Sequence, residues 1–245
     1  MLCKNCKVNF EGNFCYNCGQ KADTHRLNIK HFVHEAVHTF THLDTGILYL
    51  IKELFIQPGL VALDYVQGAR KKYYPPLQFL ILAVAAATFL TANLHLTGGT
   101  ESLIEGQSDK MVEYSRQLGE FFTKYFNFIL FLGVPVNAFF TYLFFRSSKF
   151  NYSENLILNT FLTGQHCIMY IVLSPLLYYF KNYYNYITGF YFLLSSAYFI
   201  YGAFQFFKPK NTAGAIVKLS IIMVLHVLIN TILATIIFVL FIYKR

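Results

Sequence analysis

Long unbroken apolar runs fill the chain beyond residue 76. Five are long enough to cross a bilayer as helices, which takes about 20 residues each: 77–96, 125–145, 156–180, 186–207 and 216–243. The runs are continuous rather than alternating, which predicts helices and argues against the strands of a membrane barrel. The expected fold class is an all-α integral membrane protein with about five transmembrane helices, four or six being the neighbouring counts. Tilt, or projection beyond the bilayer, accommodates the longest run, the last.

Ahead of these runs the pattern changes. "LNIKHFVHEAVHTFTHLD" repeats with a helical period. With His31 at zero, His34, His38 and His42 fall at about −60°, −20° and +20°. Ile29, Phe32, Val33, Val37, Phe40 and Leu43 occupy the opposite half. An amphipathic helix with a histidine stripe is expected. The stripe is read as a polar face, a pH sensor, an anion-binding face or a second metal site. A second helix over about 45–56 ends at Pro58-Gly59, and a third runs to Gly68. These helices are expected to lie on the inner membrane surface or pack under the bundle. The domain reading is 1–24 as a cysteine-rich head, 25–76 as interfacial helices and 77–245 as the bundle.

Composition supports the membrane assignment. Apolar residues make up 56%, aromatics 19% and charged residues 13%, about half the charge of a soluble domain. That much aromatic surface has no place to hide in a soluble domain of 245 residues. Orientation follows from the basic residues. Arg70, Lys71 and Lys72 precede the first run, Arg146 and Lys149 follow the second, and Lys208 and Lys210 follow the fourth. All seven fall on one side if the N-terminus is inside. The loop 97–124, with Glu101, Glu105, Asp109, Glu113 and Glu120 and room for a short amphipathic helix, is then outside. The net charge of +8 reports topology and anionic headgroups before any nucleic-acid partner. No secretory h-region follows the first basic residues, so a bacterial inner-membrane protein with a cytosolic N-terminus is expected.

Four of the five cysteines lie in "MLCKNCKVNFEGNFCYNCGQK". Cys3-x2-Cys6 and Cys15-x2-Cys18 are two CxxC knuckles, the donor set of a four-thiolate zinc site. In a reducing cytosol such cysteines bind metal more often than they form disulfides. Four cysteines close the coordination shell, so the expected Zn2+ is structural, and a ribbon this small depends on it to fold. An iron–sulfur cluster or a redox dithiol pair is the alternative. Lys4, Lys7, Lys21 and Arg26 around the knuckles, with Arg70, Lys71 and Lys72 in "GARKKYYPP", are the candidate residues for binding a short nucleic acid or other anionic ligand. Otherwise the ribbon docks on protein, and the second group is a positive-inside anchor.

Within the runs acids are missing, and the polar side chains include Asn159, Gln165, His166, His226 and Asn230. These are candidates for interhelical hydrogen bonding, a water path or a pore lining. His226 and Asn230 are one turn apart and share a face. No nucleophile motif, P-loop, dinucleotide fingerprint or carboxylate pair occurs, so no enzymatic activity is expected.

Cys3-x-Asn5-Cys6, Gly12, Phe14-Cys15 and Cys18-Gly19-Gln20-Lys21, followed by Asp44-x-Gly46, Pro58-Gly59, Tyr65, Gly68, Arg70 and Tyr74-x-Pro76, resemble a family of uncharacterised bacterial membrane proteins. That family is frequent in Bacteroidetes and opens with a zinc ribbon. The resemblance covers about residues 3–85 and implies no activity. The five-span layout is similar to Yip-type membrane proteins by analogy of fold alone. A small bundle with a cytosolic sensor also resembles membrane effectors of bacterial antiviral defence, gated by a nucleotide or oligonucleotide signal. The leading expectation is an oligomeric channel or pore gated through the ribbon region, a tetrameric ring being one closure. The first alternative is a non-conducting scaffold that recruits partners through the ribbon. A lipid-handling protein, with a polar cavity near His166 or His226, is the second.

Overall fold

The computed structural model describes residues 1–24, 26–29, 46–94 and 109–240. The histidine-stripe helix, with His31, His34, His38 and His42, lies outside the described residues. The chain is all-α: α1 (Gly46–Ile56), α2 (Pro58–Val66), α3 (Pro76–Leu94), α4 (Asp109–Phe144), α5 (Tyr152–Tyr179), α6 (Tyr184–Phe207) and α7 (Thr212–Phe238). Among the described residues there is no strand, only isolated bridges Leu2–Asn9 and Phe14–Lys21 in the head. Five helical segments are long and apolar enough to span a membrane: Pro76–Leu94, Asn127–Phe144, Tyr152–Tyr179, Lys181–Phe207 and Thr212–Phe238.

Two boundaries correct the sequence reading. No helix breaker separates the end of the 97–124 loop from the second span, and from Asp109 onward it is helical and continuous with it as α4. Arg116 pairs with Glu113 and Glu120 at 2.8 Å each along this extension. Tyr114 and Phe121 of the extension pack on Phe238 of α7. The third span begins at Tyr152 rather than 156, because Asn151 and Glu154 form a capping box: the Asn151 side chain accepts from the Glu154 N–H, and the Glu154 carboxylate accepts from the Asn151 N–H. The spans are therefore not free of acids; Glu154 sits in the first turn of α5.

Helix α5 is the central post, packed on α3 and α4. Gly164 admits the Phe79 ring. Asn137 of α4 donates to Asn159 Oδ1 at 2.8 Å, and Asn159 donates to Thr141 Oγ1 at 2.9 Å and to its own helix at Asn155 O. All of these side chains are buried.

The α1–α2 hairpin packs against α5 and α6. The last carbonyls of α1 have no partner within their own helix. Tyr198 and Tyr201 of α6 supply partners, donating to Leu54 O at 2.9 Å and Ile56 O at 3.1 Å. Gln165 of α5 reaches Ile51 O, and Gln205 Oε1 accepts the Gly59 N–H at 2.9 Å. Gly59 meets Gly202 backbone to backbone, so a Cβ on Gly59 would collide with the Gly202 carbonyl and with Gln205. Gly59→Val is expected to lower stability by about 1–3 kcal/mol, the usual range for overpacking. Gly189→Ala, which meets nothing within 4 Å, is expected to leave the thermal midpoint in detergent unchanged.

Candidate metal centre and basic cleft

The head is two similar knuckles, Cys3-Lys4-Asn5-Cys6-Lys7 and Cys15-Tyr16-Asn17-Cys18-Gly19. Each closes with a backbone bond to its first cysteine: Lys7 N–H to Cys3 O at 3.0 Å, and Gly19 N–H to Cys15 O at 2.8 Å. The donor residue is left-handed in both, with φ of 61° at Lys7 and 68° at Gly19. Glycine adopts this conformation without strain in the second knuckle.

The knuckles bring all four Sγ atoms within 4.8 Å of one another. Cys3–Cys18 and Cys6–Cys15 are both 3.6 Å apart. That is too far for a disulfide, at about 2.05 Å. It is close to the sulfur–sulfur edge of about 3.8 Å implied by a tetrahedron with 2.3 Å metal–sulfur bonds. The four cysteines thus fit a thiophilic tetrahedral ion.

Local hydrogen bonds prepare part of this charge. The Asn17 side chain and the Val8 N–H pull the Cys6 thiol down to about 6. Burial opposes ionisation of Cys3, yet the N–H groups of Cys6 and Asn5 bring it below the ordinary thiol range. At Cys15 burial wins and raises it to about 11. A bound cation supplies the opposite charge that the buried thiolates need.

The head is seated on the turn after α2. Gln20, buried, accepts the Lys71 N–H at 3.1 Å. Gly68, at φ 111°, lies against the Lys4 stem and Thr24. Beyond Gln20 the chain runs as a strap to the start of α5. Arg26 grips Glu154 with two bonds, Nε to Oε1 at 2.8 Å and Nη2 to Oε2 at 2.9 Å, and Nη2 also donates to Lys149 O at 2.6 Å. The Arg26 pKa is raised by its hydrogen bonds to this carboxylate. Asn151 donates to Leu27 O at 3.1 Å, and the Leu27 side chain is buried in the main core. The only acid between residues 125 and 243 therefore anchors the head to the membrane body.

Between head and seat lies a polar cleft of about 270 Å³ whose lining includes Lys4 and Lys7 from the head and Asp64, Gln67 and Lys72 from the seat. Lys72 Nζ is 3.4 Å from Asp64 Oδ2, which also accepts from Tyr73 at 3.0 Å. Burial alone would lower the Lys72 pKa, but Tyr73, Tyr49 and Asp64 more than offset it, and the ammonium is held charged. Three lysines against one carboxylate leave the cleft positive.

Of the seven basic residues singled out in the sequence, the structure thus gathers Lys4, Lys7 and Lys72. Arg26 is engaged with Glu154 instead, an arrangement the spacing of charges alone did not reveal. The Lys71 side chain is exposed, Lys21 extends from the Phe14 bridge, and Arg70 lies between Ala69 and Lys71 without lining the cleft. In the spans, Asn159 and Gln165 join helices. His166, His226 and Asn230 instead stand in the wall of a second cavity, among α4, α5, α6 and α7.

Residues 44–88 match a family described as "Protein of unknown function (DUF3667)". The matched stretch holds the α1–α2 hairpin, the seat of the head and the first part of α3. With the four-cysteine cluster, it fits the resemblance to an uncharacterised family that opens with a ribbon. No curated protein and no solved structure matches the chain. Removing the Arg26 guanidinium leaves Glu154, 5% exposed against 61% for Arg26, short of its charged partner. Arg26→Ala is expected to lower stability by about 1–2 kcal/mol. In a double-mutant cycle with Glu154→Gln most of that loss should disappear, as read by thermal unfolding.

Proposed function

We propose that this chain is a zinc-dependent membrane receptor for a phosphate-bearing anion, with its head as one wall of the binding cleft. The observation that carries the reading is the convergence of Lys4 and Lys7 from the head and Lys72 from the membrane body on one cleft. An anion there touches both parts at once, and its binding favours whichever arrangement brings the three ammonium groups closest. Four thiolates at tetrahedral spacing favour zinc, since soft donors select it and a closed shell suits a structural role. In this reading the head faces the cytosol of a bacterium and the ligand is a nucleotide or a short nucleic acid. The output is a change in a homo-oligomeric bundle.

The pore expected from the sequence is the bolder form of that output. Among the described residues Asn159 and Gln165, which a water path would use, are engaged in helix packing. A specific observation favours the scaffold as the second reading: the head exposes Leu2, Phe14 and Tyr16, an apolar set suited to a protein partner.

A short single-stranded oligonucleotide titrated onto the zinc-loaded protein tests the receptor. Lys4→Gln, Lys7→Gln and Lys72→Gln together are expected to weaken binding and to reduce the salt slope by about 2, near 0.7 for each phosphate that is no longer neutralised. Unchanged affinity and slope would overturn it. In liposomes, oligonucleotide-dependent ion flux supports the pore, and a bilayer that stays tight supports the scaffold.

A further inference from the structure

The second cavity lies wholly within the candidate spans, and neither the metal centre nor the basic cleft uses it. It measures about 270 Å³. His166 and His226 each stand roughly four turns from the head-side end of their helices, which puts the cavity deep in the bilayer. Helix α7 packs chiefly on α4 and less closely on α6, while α6 packs on α2 and α5. Residues of α6 and α7 together form one side of the cavity.

Its walls define an occupant. Half of the lining residues are apolar or aromatic, including Phe192, Phe199 and Val227, and the rest carry uncharged amide, hydroxyl or imidazole groups. No Lys, Arg, Asp or Glu lines it, so an anionic or a cationic headgroup would enter without a counter-charge at great cost. Its volume is about twice that of a cavity that holds benzene, roughly 150 Å³, and too small for a two-chain phospholipid.

The hydroxyl groups of the wall offer acceptors. Ser195 and Ser196 both direct their hydroxyl protons to Phe192 O, which leaves their oxygens as acceptors. The Asn230 amide nitrogen donates to His226 O at 2.7 Å, which fixes its Oδ1 as an acceptor. Asn159 donates to a backbone carbonyl and so must accept from Asn137, which fixes Asn137 Oδ1 in the same way. Both Oδ1 atoms are buried without a donor and closed off from the cavity space, Asn230 Oδ1 lying over Gly133, so the serine oxygens are the acceptors left to an occupant. A neutral ligand with hydroxyl groups donates to these serine oxygens.

We infer that this cavity binds a single-chain, uncharged, hydroxyl-bearing lipid of the monoacylglycerol type, with its head among His226, Ser195 and Ser196 and its chain leaving between α6 and α7. The full-length protein in liposomes, doped with a photoreactive monoacylglycerol, provides the test. Labelling is expected on peptides from α6 and α7 and should be competed by excess unlabelled monoacylglycerol but not by phosphatidylcholine. Ser196→Phe, which fills the cavity, should reduce labelling about tenfold. Val217→Phe, on an exposed face of α7, should leave it unchanged. Equal labelling of the Ser196→Phe protein would overturn the assignment. So would phosphatidylcholine competition as strong as that of monoacylglycerol on the unaltered chain, whether or not the variant folds.

Discussion

A helix end buried against other helices must find its hydrogen-bond partners within the protein, and the architecture turns on how α1 and α2 meet that demand. Their connecting bend sits against α6, where two tyrosine hydroxyls and one glutamine close the open backbone groups. Glycine at 59 and 202 lets the chains approach closely enough for those bonds to form. The same packing fixes the turn after α2, and that turn is the seat of the head. Displacing the hairpin would thus disturb the bundle and the cysteine-rich segment together.

The head itself has little to hold it folded. Its core is Phe10 with the cysteines and Ala22, far too small to fold unaided, so a metal in the four-thiolate site is the natural clip. Once clipped, the head is tied to the bundle at two points that differ in kind. Gln20 and Gly68 form a close-packed seat, while Arg26 and Glu154 form a charged latch beside the first turn of α5. The basic cleft lies between the head and its seat, where a ligand would sense their relative position. Occupancy of the second cavity is a separate matter, since its walls come from α4 to α7 and share no residue with the cleft.

The number of spans and the four-cysteine cluster were legible because each rests on a local pattern: continuous apolar runs of bilayer length, and two CxxC pairs. The hairpin's packing against α5 and α6 was not, because nothing local to α1 and α2 names their partners. That packing depends on Tyr198, Tyr201 and Gln205, more than 140 residues away in sequence. Composition likewise offered seven basic residues of equal standing and no means of ranking them. Glu154 stood out as a solitary acid, but its pairing with Arg26 spans 128 positions. His166 and His226 were visible as polar residues in apolar runs, while the cavity they share arises from the tertiary packing of four helices.

The central claim is that the metal centre and the membrane body form one mechanical unit through the seat and the strap. Hydrogen–deuterium exchange on the full chain in nanodiscs, before and after zinc chelation, tests it most directly. Removing the metal is expected to deprotect the amides of residues 3–22 and, with them, the strap at 26–28 and the seat at 68–72, while α1 and α2 stay protected. Loss of protection confined to the knuckles, with strap and seat unchanged, would contradict it.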